Sequence, residues 1–253
     1  MKRSLKAGAV FAVVSLALIL PSLGAERFSF SYAVGDRYRL VTNVDEWVYV
    51  NRRLASHVEI VNRIAFSVPE VKEGKGRLTG SFQTSEREAG SASAYVLTTD
   101  YDSDFWRDAR GVFQIDDKYY MPVVRNVPVF PDRDLKPGDT WTAPGEEKHD
   151  FRRSYGIPEP YRIPFTAGYE YLGNMTYEGV ERPAFKAAYT LFYQPPRPSA
   201  YTKAYPAQIM GHSEQVVYWD AKAGQPAAYT ETFKIIIEQS DGTTVEFTGS
   251  AEG

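Results

Sequence analysis

Phe185, Ala187, Tyr189, Leu191 and Tyr193 alternate with Lys186, Ala188, Thr190 and Phe192. A repeat of two residues is the period of an extended strand, whose successive side chains point to opposite faces. The first set is therefore expected to face a core. The same kind of signal runs along most of the chain. Asp36 to Tyr49 and Val58 to Val68 read as the arms of a long hairpin around Val50-Asn51-Arg52-Arg53, and Glu73-Gly74-Lys75-Gly76 reads as the next turn. Gly111 to Ile115 and Tyr119 to Val124 flank Asp116-Asp117-Lys118, which predicts a short hairpin. Val216 to Trp219, Tyr229 to Ile237 and Thr244 to Thr248 are separated by Ala223-Gly224-Gln225-Pro226 and by Asp241-Gly242, the pattern of a β-meander. Beyond residue 25, extended helical periodicity is nearly absent. The expected fold class is all-β, an antiparallel β-sandwich or half-barrel.

Two stretches interrupt this pattern. Pro122, Pro128, Pro131, Pro137 and Pro144 exclude most of residues 122–144 from a central strand, because proline cannot donate to a ladder. Pro195, Pro196, Pro198 and Pro206 mark a second irregular excursion. A faint internal echo accompanies the first. Val34-Gly35-Asp36-Arg37-Tyr38 and Pro137-Gly138-Asp139-Thr140-Trp141 each place a Gly-Asp turn before an aromatic strand start. The expectation is two packed β modules, residues 26–130 and 131–253, with one continuous domain as the alternative.

The N-terminus points to export. Lys2, Arg3 and Lys6 form a positive region, and Ala7 to Leu20 is an uncharged apolar run shorter than the ~20 residues of a membrane-spanning helix. Pro21 follows, then Ser22-Leu23-Gly24-Ala25 offers small residues to a peptidase, so residues 1–25 read as a signal peptide. Without its three cations the rest of the chain has 26 basic residues against 32 acidic, a net charge near −6. That balance leaves no basic stripe for nucleic acid. No second long apolar run follows, so no helix is expected to span a membrane once the peptide is removed. A porin-like barrel is disfavoured because the strand candidates vary in length and many carry charges on both faces. The chain has no cysteine, which removes thiol chemistry, cysteine zinc sites, disulfides and a lipoprotein anchor. The expected location is the periplasm, or association with the outer membrane.

The stretch Met121-Pro122-Val123-Val124-Arg125-Asn126-Val127-Pro128-Val129-Phe130-Pro131, continuing through Asp132-Arg133-Asp134-Leu135-Lys136-Pro137-Gly138-Asp139-Thr140-Trp141, carries a resemblance. With Gly145-Glu146-Glu147, His149-Asp150-Phe151-Arg152 and Gly156-Ile157-Pro158-Glu159-Pro160-Tyr161, it resembles the N-terminal β-rich region of spirochaetal OmpA-family envelope proteins. The similarity extends from about Phe28 to Glu252 and is densest between Tyr120 and Tyr161. In that family a peptidoglycan-holding OmpA-like domain of roughly 100 residues follows. Its Asp- and Arg-bearing helical segment has no counterpart here, so no peptidoglycan-binding residue is carried over. The resemblance implies either a free-standing N-terminal module or part of a longer protein.

Chemistry-bearing residues are few. Asp100, Asp102 and Asp104 begin as a calcium loop begins, but Phe105 stands where a glycine is needed and Gly111 where a bidentate glutamate belongs. On a strand these three acids would share one solvated face. Asp132, Arg133, Asp134, Asp139 and Trp141 lie in or beside the proline-rich connector, where an ordered loop suits recognition and an Asp suits a turn. His149, beside Asp150 and after Glu146 and Glu147, is the best acid–base candidate. No Gly-x-Ser-x-Gly elbow and no phosphate-binding glycine loop occur, so neither an enzyme nor a cofactor is expected. The leading expectation is a non-enzymatic envelope module that contacts a protein or cell-wall component. The alternative is a carrier or chaperone that holds a lipid or lipoprotein acyl chain in a half-barrel. A hydrolase ranks third.

Overall fold

The computed structural model describes residues 24–197 and 204–253; the expected signal peptide lies almost wholly outside them. The chain is all-β and antiparallel, with one helical turn among the described residues, α1 (Arg152–Tyr155). Five strands come first: β1 (Arg37–Val50), β2 (Arg53–Lys72), β3 (Lys75–Glu88), β4 (Val96–Arg107) and β5 (Phe113–Ile115). Then follow β6 (Val124–Arg125), β7 (Thr140–His149), β8 (Tyr161–Tyr177), β9 (Val180–Tyr193), β10 (Pro206–Asp220), β11 (Gln225–Gln239) and β12 (Thr244–Glu252). They form one barrel-like, nearly closed sheet in the order β5-β4-β3-β2-β1-β12-β11-β10-β9-β8-β7-β6. Residues 26–130 supply β1 to β6 and residues 131–253 supply β7 to β12, and the two sets join where β1 pairs with β12.

The break in the sheet falls between β5 and β6, in mid-chain. The expected hairpin across Asp116-Asp117-Lys118 does not form, since β5 pairs with β4 and β6 pairs with β7. A turn is present there, with the Tyr119 amide donating to the Asp116 carbonyl at 3.1 Å. The chain then crosses to β7 because buried cations hold its carbonyls. Arg125, 1% exposed, donates to the carbonyls of Tyr119, Tyr120 and Pro122 and to the Glu146 carboxylate. Lys148 Nζ donates to the carbonyls of Asp117 and Tyr119. On the other side the connector is tied to β4 by the Ser103 hydroxyl, which donates to the Met121 carbonyl at 2.7 Å. Pro122 and Pro128 thus flank the two-residue strand β6, and side chains fasten the rest of residues 116–130 across the gap.

The strand period sorts the residues as expected. Phe185, Ala187, Tyr189 and Leu191 are buried, whereas Phe192 between them and Tyr193 is 65% exposed. The inward row of β8 continues this core through Ile163, Phe165, Ala167, Tyr169 and Tyr171. Gly145 faces Phe165 across the β7–β8 ladder, and a Cβ there would come within 2.3 Å of its ring, which stacks on Tyr189. The outward rows carry many charges, Arg37, Arg39 and Asp45 on β1, Asp100, Asp102 and Asp104 on β4, Lys186 on β9 and Glu246 on β12, with Val41 and Phe192 exposed among them. Membrane barrels carry an apolar outer band, which these charges interrupt.

The echoed segments adopt the same turn. Gly35 and Gly138 take positive φ values of 94° and 87°, a region open to glycine. The Asp36 carboxylate accepts the Ala33 amide, and the Asp139 carboxylate accepts the Lys136 amide. Gly35 then donates to Val68, and Gly138 to the equivalent Tyr171. Each turn delivers an aromatic residue, Tyr38 or Trp141, to the inner face of a first strand.

One end of the barrel is closed by residues 26–32. Their backbone bonds to Ala109, Gly224 and Leu135, and they insert Phe28 and Phe30 among Phe130, Tyr171, Phe185 and Trp219. The ring contacts are mostly edge-to-face at 4.7–5.1 Å, the geometry aromatic quadrupoles favour.

Candidate functional site

Twelve strands enclose more space than side chains alone fill; about eight is the number at which a barrel interior is just occupied. Here a cavity of about 380 Å³ remains inside the sheet. Leu40, Ile64, Phe82 and Val217 wall it from the strands, and Met121, Pro122, Val123, Val124 and Val127 wall it from the connector. A second chamber of about 150 Å³ shares Val123, Val124 and Glu231 with the first. Glu231 therefore stands between the two.

Polar groups meet at that point because several inward positions break the apolar rows. On β10 the inward row reads Ile209, Gly211, Ser213, Gln215, Val217, Trp219, and on β11 Glu231 lies between Tyr229 and Phe233. The Ser213 hydroxyl donates to Glu231 Oε1 at 2.7 Å, and Gln215 Nε2 donates to the same oxygen at 3.1 Å. Burial pushes the Glu231 carboxyl above its ordinary range, and the nearby Glu147 charge pushes the same way. Beyond Ser213, the Tyr189 hydroxyl donates to Glu147 Oε1 at 2.7 Å, and His149 Nε2 lies 2.7 Å from Glu147 Oε2. Burial and the Glu147 charge raise the Tyr189 pKa.

His149 was expected to act with a neighbouring acid, and its partner is Glu147, not Asp150. On a strand residues two apart share a face, so Glu147 and His149 both point inward while Asp150 turns to Arg152, at 2.6 Å. Ser213 gives its hydroxyl to Glu231, and among the described residues no hydroxyl hydrogen-bonds to His149. The grouping is a buried hydrogen-bonded network without a presented nucleophile.

The other candidates have local partners. Asp132 pairs with Arg27, and Asp139 with Arg133 at 2.7 Å, so the loop is held by its own charges. Asp134 offers its carbonyl to Arg133. Trp141 donates from Nε1 to the Val129 carbonyl at 2.7 Å and stacks on Tyr169, which makes it part of the core. Asp100, Asp102 and Asp104 share the outer face of β4, where Asp104 holds Arg77 in a two-point ion pair and Asp100 accepts from Gln83. Among the described residues no three acidic or histidine side chains are placed to hold one metal ion.

A larger, open groove of about 900 Å³ lies on the outer face between β2 and β10. Its carboxylates are already engaged: Asp45 with His57, Glu59 with Arg87 and Tyr95, Glu214 with Lys186, and Glu252 with Tyr177. The interior cavity has the unused acceptor capacity. Sequence reasoning passed over Ser213, Gln215 and Glu231, although their phase was readable: each is a polar residue in step with an otherwise apolar row. No family model, curated protein or solved structure matches this chain.

Proposed function

We propose that this protein is an exported carrier that holds the apolar part of a small amphipathic molecule inside its barrel. The observation that supports the reading is the unfilled interior of about 380 Å³, walled chiefly by aliphatic and aromatic side chains. Ligand sites are characteristically concave, mostly apolar and furnished with a few convergent polar groups. At the end of the sheet opposite the aromatic plug, Leu54, Val96 and Leu97 are more than half exposed, a surface suited to receiving an apolar ligand from a membrane or another carrier.

The test is uptake of the neutral fluorescent probe N-phenylnaphthylamine by purified protein. Leu40→Trp, which fills the cavity from β1, is expected to weaken uptake at least ~10-fold while costing only about 1–3 kcal/mol of stability. Uptake unchanged by that substitution would place the probe elsewhere and remove the support for a carrier.

The envelope-module reading, in which the chain is akin to the N-terminal region of spirochaetal OmpA-family proteins, has one observation in its favour: Asp132, Arg133 and Asp134 are exposed on a loop held by its own charges. Asp132→Ala combined with Arg133→Ala should then abolish recovery of an envelope partner in cross-linking from cells. Undiminished recovery would count against a role for the loop.

A further inference from the structure

Resting on the carrier reading, a feature of the cavity bears on the ligand's polar end. Both protein hydrogen bonds to Glu231 arrive at Oε1, and among the described residues no donor reaches Oε2. Of the side chains around it, Tyr229 donates to Thr42, Thr84 to Asn62, Gln83 to Asp100 and Tyr189 to Glu147, and Asn62 lines the same chamber. Neither chamber is lined by a lysine or an arginine. The two histidines that line the smaller chamber are placed otherwise: His149 is bonded to Glu147 at 2.7 Å and His212 is exposed on the alternate face of β10, so Glu231 Oε2 meets the cavity without a protein cation paired to it.

We propose that the ligand carries a hydrogen-bond-donating cationic head, an amine, on an apolar body, and that Glu231 receives the head. An ammonium supplies both the missing donor at Oε2 and the opposite charge, and charge-assisted hydrogen bonds of this kind are the strong ones. A carboxylate or phosphate head would set like charge beside Glu231 and Glu147 in a poorly solvated space, with no lysine or arginine lining either chamber to offset it. The body lies against Leu40, Ile64, Phe82 and Val217. Burial of Glu231 works in the same direction: it pushes the carboxyl up despite the hydrogen bonds from Ser213 and Gln215, and an ammonium beside it would favour the charged form.

Calorimetric titration with octylamine, octanol and octanoate tests this, since the three share one apolar body and differ in the head. Wild-type protein is expected to bind octylamine at least ~10-fold more tightly than octanoate, with octanol between, because opposite-charge contacts in poorly solvated sites favour and like-charge contacts oppose binding. Glu231→Gln should remove the octylamine advantage and leave octanol affinity within about twofold, the neutral head having no charge to lose. Octanoate bound as tightly as octylamine by the wild type would overturn the amine assignment whether or not the variant folds. So would an octylamine preference that survives in folded Glu231→Gln. Failure of all three to bind would instead defeat the carrier reading itself.

Discussion

Arg125→Ala is expected to lower the stability of the protein by about 3–5 kcal/mol, the range found when one partner of a buried charged network is removed. The side chain is 1% exposed and donates to three backbone carbonyls and one carboxylate. Glu146 would keep Arg162, at 2.7 Å. The carbonyls of Tyr120 and Pro122 would lose the donor that holds them, and a buried carbonyl without a donor is costly. Arg125→Met, which restores most of the volume but no donor, should recover only a minor part of the loss. Because residues 121–127 form one wall of the cavity, both variants should also weaken N-phenylnaphthylamine uptake before they unfold. Urea unfolding measures the first effect and probe titration the second. A loss below about 1 kcal/mol, typical of a surface ion pair, would mean that the connector is held by something other than this guanidinium.

The second large effect is a dependence of stability on pH that originates at Glu46. This residue points inward on β1, opposite Val58 on β2 and Gly249 on β12. Burial pushes its carboxyl up to about 7 from an ordinary value of 4.5, with the Glu86 charge adding to the rise. A carboxyl whose pKa is higher folded than unfolded makes the native state bind the extra proton. Its contribution is therefore fully present below about pH 4.5 and is lost as pH rises through about 7. The loss across that window is up to roughly 3 kcal/mol, from the free-energy equivalent of a pKa difference. Asp104, Asp150 and Asp220 act in the opposite sense, since hydrogen bonds to arginine or backbone amides hold their carboxyls below the usual value. Their stabilisation disappears only as pH falls below the ordinary Asp range, so the two trends occupy different windows. Glu46→Gln should match the wild type in acid, exceed it near neutrality, and flatten the profile between. Parallel profiles for the two proteins, from unfolding midpoints across this window, would rule out Glu46 as the source.

Much of the fold was legible because a strand writes its period into the chain. The row Phe185, Ala187, Tyr189, Leu191 could be assigned to a core from alternation alone, and the turns at Gly35-Asp36 and Gly138-Asp139 from the residue types that tolerate positive φ and accept a nearby amide. The same local logic placed the C-terminal meander and kept residues 126–139 of the proline-rich connector out of any strand, although Val124–Arg125 form β6 and Pro144 lies within β7, opposite Thr166 of β8. The partner of His149 was within reach of this reasoning too, since a period of two pairs it with Glu147 and excludes Asp150.

What the chain could not disclose locally is which distant strands meet. Alternation says which residues share a face, not which face of which strand lies opposite. The joining of β1 to β12, the break between β5 and β6, and the crossing of the connector to β7 depend on contacts between residues far apart, as when Arg107 donates to Gln225 across the barrel. The cavity belongs to the same class. It exists because twelve strands and a connector curve around more volume than their inward side chains occupy, a sum over the whole sheet that no segment records. Glu231 reads in the sequence as one acid among 32 acidic residues. Only the closure of the sheet gives it Ser213 and Gln215 on one oxygen and an apolar space beside the other.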